Sequence, residues 1–167
     1  MSLSLEERVA TLRAELERDA DSVLFADLPP GAADARVLEQ LPAGHSRVLA
    51  ASDGPRCGVI VWFDTGYLTS QQYFCDDLPG GPERWVCFGH NSDEPLVIER
   101  ATGAVWWYPP TGTLYWMSGR LEKLTDTVEA FFTDYCLGSK YPQATGDHDQ
   151  WYQFLTARPS TNSESDT

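Results

Sequence analysis

The sequence predicts a single-domain α+β fold, in which helices from both ends of the chain pack on a central, mostly antiparallel sheet of about five or six strands. Three short runs rich in β-branched and aromatic residues predict a β-meander, because polar turn residues separate them: residues 85–88, 96–98 and 105–108. A chain of 167 residues, of which 42% are hydrophobic, is long enough for one domain with a real core.

The N-terminal segment predicts an amphipathic helix docked on the rest of the fold. Ser4 and Glu7 have the spacing of a capping box, which satisfies free backbone N–H groups at a helix start. An apolar stripe follows at helical spacing: Leu5, Val9, Leu12 and Leu16. After a surface connection at residues 25–33, two shorter helices are predicted over residues 34–41 and 42–52.

The middle of the chain changes to a strand pattern. Residues 58–63 form a continuous apolar run, which predicts a central strand buried on both faces. Residues 67–75 alternate more loosely and predict a further strand. In the acidic loop that follows, Asp76, Asp77 and Glu83 are expected to face solvent, because buried carboxylates without partners are costly.

The C-terminal part predicts one more strand, two helices and a tail. The strand is expected around residues 113–117, and the next helix begins with Asp126 and Glu129 in capping-box spacing. A last helix is predicted within residues 148–157, whereas the composition of residues 158–167 is typical of a disordered polar tail.

The charge of the chain limits the classes of partner. The 25 acidic residues against 12 Lys and Arg residues give a formal charge of −13, which disfavours direct binding to nucleic acid. Strong acidity steers association with a basic protein, such as a cationic nuclease, and is equally typical of acidic proteins without such a partner. The sequence has no apolar run of about 18 residues and a charged N-terminal segment, so we expect a cytoplasmic protein with no membrane contact.

Motifs for chemistry are absent from the sequence. No GxSxG motif and no Gly-rich phosphate loop occur. The cysteines occur singly, without zinc-like spacing, and are predicted to be free, buried thiols: Cys57, Cys75, Cys87 and Cys136. The sequence therefore predicts no catalytic residue, no metal and no cofactor.

Three histidines are the candidates for acid–base chemistry, since imidazole titrates near neutral pH. His45 lies near a helix start and is predicted at the surface, and His148 lies between two aspartates in a predicted solvated turn or helix cap. His90 ends a strand beside an acidic turn and is the best of the three, with Asp93 or Glu94 as its partner. An acid–base or metal site needs convergent ligands, however, and a single turn does not supply them.

The run Trp106, Trp107 and Tyr108 places large rings on both faces of one strand, because successive side chains point in opposite directions. Either one ring is exposed and can anchor a protein partner, or helices and strand twist cover both faces of the strand. The alternation leaves these two arrangements open.

One pattern of strands, turns and a helix runs through four segments: FGHNSDEP (88–95), LVIER (96–100), ATGAVWWYP (101–109) and LTDTVEAFF (124–132). Upstream, residues 41–58 contain a predicted helix that ends in an Asp-Gly turn before the sheet. This pattern resembles the central core of the SUKH superfamily, which includes bacterial immunity proteins and a yeast regulator of cell-wall synthesis. The resemblance covers residues 41–137 and implies one SUKH-like domain at residues 1–157.

The resemblance implies a non-enzymatic antitoxin that binds a cognate toxin and blocks its active site. The partner would be a basic protein, and the chain itself a monomer or weak homodimer. Acidic loops and nearby aromatic side chains would form the contact surface, with these expected partner-binding residues: Asp64, Tyr67, Asp76, Asp77, Asp93, Glu94 and Trp107. Two other functions stay open, namely a regulatory or scaffold protein with the same fold and a small hydrolase that uses His90 with Asp93 or Glu94.

Overall fold

The computed structural model describes residues 3–19, 23, 25–110, 114, 117 and 119–157. The predicted tail at residues 158–167 lies outside these residues, as does most of the strand predicted around residues 113–117. Within the described residues, seven strands form one open antiparallel sheet, and their order in the sheet is their order in the chain. The predicted α+β fold with an antiparallel meander is confirmed, with seven strands rather than five or six.

The strands are short and unequal in length. They are β1 (Ala26–Asp27), β2 (Arg56–Cys57), β3 (Ile60–Trp62), β4 (Trp85–Asn91), β5 (Glu94–Glu99), β6 (Val105–Trp107) and β7 (Glu122–Thr125). The apolar run at residues 58–63 was expected to be one strand, but its first residues form the turn of the β2–β3 hairpin, where Gly58 has a φ of 64°. Strand β7 was not predicted, because its sequence EKLT has no apolar run.

The helices are α1 (Leu5–Arg18), α2 (Ala35–Glu39), α3 (Ala43–Ala51), α4 (Thr65–Leu68), α5 (Gly81–Arg84), α6 (Val128–Ala130), α7 (Tyr141–Thr145) and α8 (Gln150–Thr156). Helix α4 continues as a 3₁₀-helix at Thr69–Cys75, and α6 continues as a π-helix at Phe131–Cys136. No helix in the described ranges has the length and apolar character that crossing a membrane requires.

Helix ends follow the sequence signals in part. The capping box of α1 is confirmed, because the Ser4 side chain accepts from the Glu7 N–H at 3.1 Å and the Glu7 carboxylate accepts from the Ser4 N–H at 2.8 Å. The cap predicted for α6 is wrong. Thr127 caps that helix by accepting from the Ala130 N–H at 3.1 Å, while Asp126 forms an ion pair with Lys123 at 2.8 Å.

The strand predicted over residues 67–75 is also wrong, because this segment is helical throughout. Leu68, Gln72 and Cys75 recur at spacings of four and three and point towards the sheet, where they are buried or half-buried. Tyr67 and Tyr73 are exposed. The aromatic side chains favour a strand in isolation, but the inward helical face decides the structure.

The two faces of the sheet carry cores of very different size. Helices α1, α3, α6, α7 and α8 cover the first face and enclose the large core, which includes Trp62, Phe88 and Ile98. The second face carries only a small core, to which Phe63, Leu68, Cys75, Trp85, Cys87 and Val97 contribute. The second face is therefore where strand and helix side chains remain partly accessible.

The four cysteines are free and buried, as predicted. Burial raises the pKa of the Cys87 thiol to about 12 and also raises the pKa of Cys75 and Cys57. Thiols held neutral in this way are poor nucleophiles. The sulfur of Cys136 accepts a hydrogen bond from the Trp62 indole N–H at 3.4 Å.

Tyr141 fastens the C-terminal helices to the β2–β3 turn. Its hydroxyl donates to the Asp149 carboxylate at 2.7 Å and accepts from the Val59 N–H at 3.0 Å. Asp149 also caps α8 by accepting from the Tyr152 N–H at 3.1 Å. A Cβ at Gly58 would overlap the Tyr141 hydroxyl, so the turn needs glycine both for its positive φ and for this close approach.

His45 was expected at the surface, but it is fully buried in the large core. Its ring lies 6.1 Å from the Trp62 ring and 6.0 Å from the Phe88 ring, measured between centroids. Neither of its nitrogens has a hydrogen-bond partner within the described residues. Burial, with a smaller contribution from the charge of Arg100, lowers the pKa of His45 to about 3. The folded protein therefore holds this imidazole neutral.

We expect His45 to make the protein less stable as the pH falls from about 6.5 towards about 3. In this window the unfolded chain binds a proton at His45 and the folded protein does not, so the free energy of unfolding falls by up to about 1.4 kcal/mol per pH unit. Urea unfolding of the wild type and of His45→Leu across this range measures the effect as the difference between the two curves.

His45→Leu should be as stable as the wild type at neutral pH, because it removes two unpaired polar atoms, and it should lose less stability on acidification. The exposed His148 offers the control, since His148→Asn should follow the wild-type curve. Parallel curves for the wild type and His45→Leu would contradict the buried, neutral state of His45.

Candidate functional site

The helical segment from Thr65 to Cys75 lies across the second face of the sheet and is fixed at its start by two aspartates. Asp53 accepts from the Thr65 N–H and hydroxyl, both at 2.8 Å, and so ties the end of α3 to the start of α4. Asp64 caps α4 by accepting from the Tyr67 N–H at 2.8 Å. Asp64 therefore has a structural role besides its charge.

Gln72 joins the same segment to β4. Its amide nitrogen donates to the Cys87 and Leu68 carbonyl oxygens at 2.8 and 2.9 Å, and its amide oxygen accepts from the Cys87 N–H at 3.0 Å. The register of β4 against β5 shifts between Cys87 and Gly89. One side chain thus satisfies both backbone groups of Cys87 where the strand is irregular.

Two depressions open on the second face, and Phe74 lines both of them. The smaller has a volume of about 220 Å³ and is bordered by Tyr67, His90 and Asp93. The larger has a volume of about 750 Å³, and Asp77 is the carboxylate on its border. Residues that are far apart in the sequence therefore meet around one helical segment.

We call the exposed part of this region the acidic–aromatic surface and define it by six residues: Asp64, Tyr67, Tyr73, Asp76, Asp77 and Asp93. All six are exposed, and 53% of Tyr67 and 59% of Tyr73 is accessible to solvent. Five of the seven residues predicted to bind a partner lie in this surface, together with Tyr73. The solvent exposure predicted for Asp76, Asp77 and Glu83 is confirmed.

The chain segment that carries this surface contains few positive charges. Arg84 is the only lysine or arginine between Arg56 and Arg100 in the sequence. Its guanidinium forms an ion pair with Glu99 at 2.9 Å. A hydrogen bond from Thr102, with a smaller contribution from this pair, lowers the pKa of the Glu99 carboxyl. The carboxylates of the acidic–aromatic surface make no ion pair within the described residues.

Glu94 and Trp107 do not belong to this surface. Glu94 precedes Leu96 by two positions, so its side chain points to the first face of the sheet, and partial burial raises its pKa. Trp107 packs against the large core on the same first face. Its neighbour Trp106 packs against the small core instead, so both faces of β6 are at least partly covered.

His90 lies at the small depression but lacks a complete acid–base arrangement among the described residues. Its Nδ1 contacts the Ser92 carbonyl oxygen, and its ring lies 6.0 Å from the Phe63 ring between centroids. Asp93 borders the same depression, whereas Glu94 points to the opposite face. No group of three potential metal ligands occurs in the part of the chain that the structure describes.

Sequence reasoning missed Tyr73, Phe74 and Gln72 as contributors to this region, and it left open which face of the strand Trp106 would take. A signal for the helix was present, because Asp64 stands in a capping position and Leu68, Gln72 and Cys75 share a helical face. The role of Gln72 had no local signal, since its bonding partner Cys87 lies fifteen positions along the chain.

No protein-family model matches the sequence. No curated protein matches it either.

We expect Gln72→Glu to lower the free energy of unfolding by about 1–3 kcal/mol. The carboxylate cannot donate to the Cys87 and Leu68 carbonyl oxygens, and its charge lies against both of them. Urea unfolding at neutral pH measures the change. Gln71→Glu is the matched control, because it adds the same charge one position away, where the amide bonds only the Ser70 hydroxyl among the described residues. Equal stability of the two variants would contradict the structural role of Gln72.

Proposed function

We propose that this protein is a non-enzymatic protein-binding domain and acts as an immunity protein, or antitoxin, in a bacterial polymorphic-toxin or contact-dependent system. It neutralises a basic toxin, such as a nuclease, by covering it with the acidic–aromatic surface. The observation that carries the proposal is the grouping of Asp76, Asp77 and Asp93 with the exposed Tyr67 and Tyr73 on one face of the sheet.

The two kinds of side chain have separate roles in this proposal. The carboxylates attract a cationic protein, accelerate its encounter and resemble the phosphates of a nucleic-acid substrate. Tyrosines supply large, rigid contact areas and are frequent among the residues that dominate interface affinity. Tyr67 is well placed for this role, because its ring packs edge to face on Phe63 at 5.5 Å between centroids and remains half-exposed.

The order of strands and helices in the fold also supports the proposal. The meander of β4, β5 and β6, followed by helix α6, agrees with the order of elements that the resemblance to the SUKH superfamily implies. Hydrogen bonds of Asp53 and Gln72 attach the helical segment Thr65–Cys75 to the end of α3 and to β4, which gives its exposed side chains a defined arrangement. Such preorganisation favours binding because less conformational freedom is lost on association.

A regulatory or scaffold protein of the same fold would use the same surface for a partner from the same cell. The identity of the partner distinguishes the two functions, since an antitoxin must protect cells from a toxin encoded beside it. The hydrolase alternative depends on His90 with Asp93, because Glu94 points to the other face. If that alternative holds, His90→Ala abolishes a measurable turnover and leaves the fold intact.

We expect the triple variant Asp76→Asn, Asp77→Asn, Asp93→Asn to associate about tenfold or more slowly with the toxin at low ionic strength, because it removes three steering charges. The association rate of the wild type should fall steeply with salt, whereas that of the variant should change little. Stopped-flow or surface-plasmon measurements with the protein encoded by the adjacent gene give both quantities, and cell survival on toxin expression gives the biological readout.

A second triple variant, Glu17→Gln, Asp27→Asn, Asp147→Asn, is the matched control. It removes the same net charge from exposed positions outside the acidic–aromatic surface. It should keep nearly wild-type rates and protect cells. Equal loss in both triple variants would mean that overall charge alone drives association. No association of the wild type at low salt, together with death of cells that express both proteins, would reject the antitoxin function for that pair.

A further inference from the structure

The larger depression on the second face is an aromatic cradle, which we define by five rings: Tyr73, Phe74, Trp85, Trp106 and Tyr108. Its volume of about 750 Å³ is that of a ligand cavity. The Trp85 and Trp106 rings meet edge to face at 5.6 Å, and Tyr73 stacks on Phe74 at 4.4 Å between centroids. Aromatic rings therefore border the cradle from both the sheet and the helical segment.

The carboxylate on the border of the cradle, that of Asp77, makes no ion pair within the described residues. Asp77 lines the cradle, its neighbour Asp76 is exposed, and neither makes an ion pair there. Both residues follow the C-terminal end of the helical segment Thr65–Cys75, where the helix dipole is negative. The negative charges of these carboxylates add to the partial negative charge of the helix end. The cradle therefore favours a cation.

Arg84 also lines the cradle, and its guanidinium packs against one of the rings. Its Cζ lies 4.7 Å from the centroid of the Trp85 ring. Glu99 accepts hydrogen bonds from its Nε and Nη2 at 3.1 and 2.9 Å. Because Glu99 balances the charge of Arg84, the charge of Asp77 remains available to a second cation.

We propose that the aromatic cradle is the binding site for an arginine side chain of the basic protein partner. The cation stacks on the cradle rings and faces the Asp77 carboxylate. Arginine fits better than lysine, because a planar guanidinium stacks on aromatic faces and is less strongly hydrated than an ammonium group. The identity of the partner rests on the proposed function, whereas the preference for a guanidinium rests on the residues of the cradle.

The test uses a small probe, so that it does not require the toxin. The full chain, labelled with ¹⁵N, is titrated with N-acetyl-arginine N-methylamide and separately with N-acetyl-citrulline N-methylamide, which has a similar shape but no charge. We expect saturable NMR shifts of the Trp85 and Trp106 indole N–H signals and of the Leu78 and Gly119 amides with the arginine probe. The citrulline probe should bind about tenfold more weakly.

Two substitutions locate the binding site of the probe. Asp77→Asn should weaken binding about fivefold, because it removes one exposed carboxylate and leaves the fold intact. Trp106→Leu should abolish saturable shifts of the remaining cradle signals. Glu17→Gln, which removes the same charge from the exposed side of α1, should bind the probe like the wild type.

The inference is overturned if the arginine probe gives no saturable shift, if citrulline binds equally well, or if Asp77→Asn and Glu17→Gln behave alike. Its failure is distinguishable from failure of the proposed function. A toxin that binds the wild type and Asp77→Asn equally, with no probe binding, removes the arginine site but keeps the antitoxin. Probe binding in the cradle without any toxin association keeps the arginine site but removes the antitoxin.

Discussion

The contact on which the acidic–aromatic surface depends is the hydrogen bonding of one side chain, Gln72, to both backbone groups of Cys87. It holds the helical segment Thr65–Cys75 against an irregular part of β4, where the strand has lost its regular register with β5. The start of the segment is fixed separately by Asp53 and Asp64. With both ends fixed, the exposed tyrosines and the carboxylates beside the segment keep their positions relative to the sheet.

The two faces of the sheet differ in how completely they are covered. The first face is covered by five helices and contains most of the large buried side chains, so it supplies most of the hydrophobic stabilisation. The second face is covered mainly by one helical segment over a small core, which leaves two depressions and a set of partly exposed rings. In the proposed function, this partly exposed surface is the part of the protein that a partner covers.

Much of the large core could be predicted from the sequence, because its apolar residues recur at helical spacing, as Leu5, Val9 and Leu12 do in α1. The segment 67–75 could not be assigned from side-chain preference alone, since its aromatic residues favour strands and the polar Gln72 interrupts its inward face. His45 was predicted at the surface because burial of a polar side chain without a hydrogen-bond partner, as seen for His45 among the described residues, is rare. The position of Glu94 on the first face depends on strand register, which only the three-dimensional pairing of β4 and β5 defines.

The central claim is that the acidic–aromatic surface is where a partner binds. Hydrogen-exchange mass spectrometry of the protein alone and with the product of its adjacent gene tests this claim most directly. The account predicts slower exchange on binding in residues 64–78, at the β4–β5 turn near Asp93, and no change in α1 or α8. Slower exchange confined to α1, α3 and α8, with residues 64–78 unchanged, would place the partner on the opposite side and contradict the account.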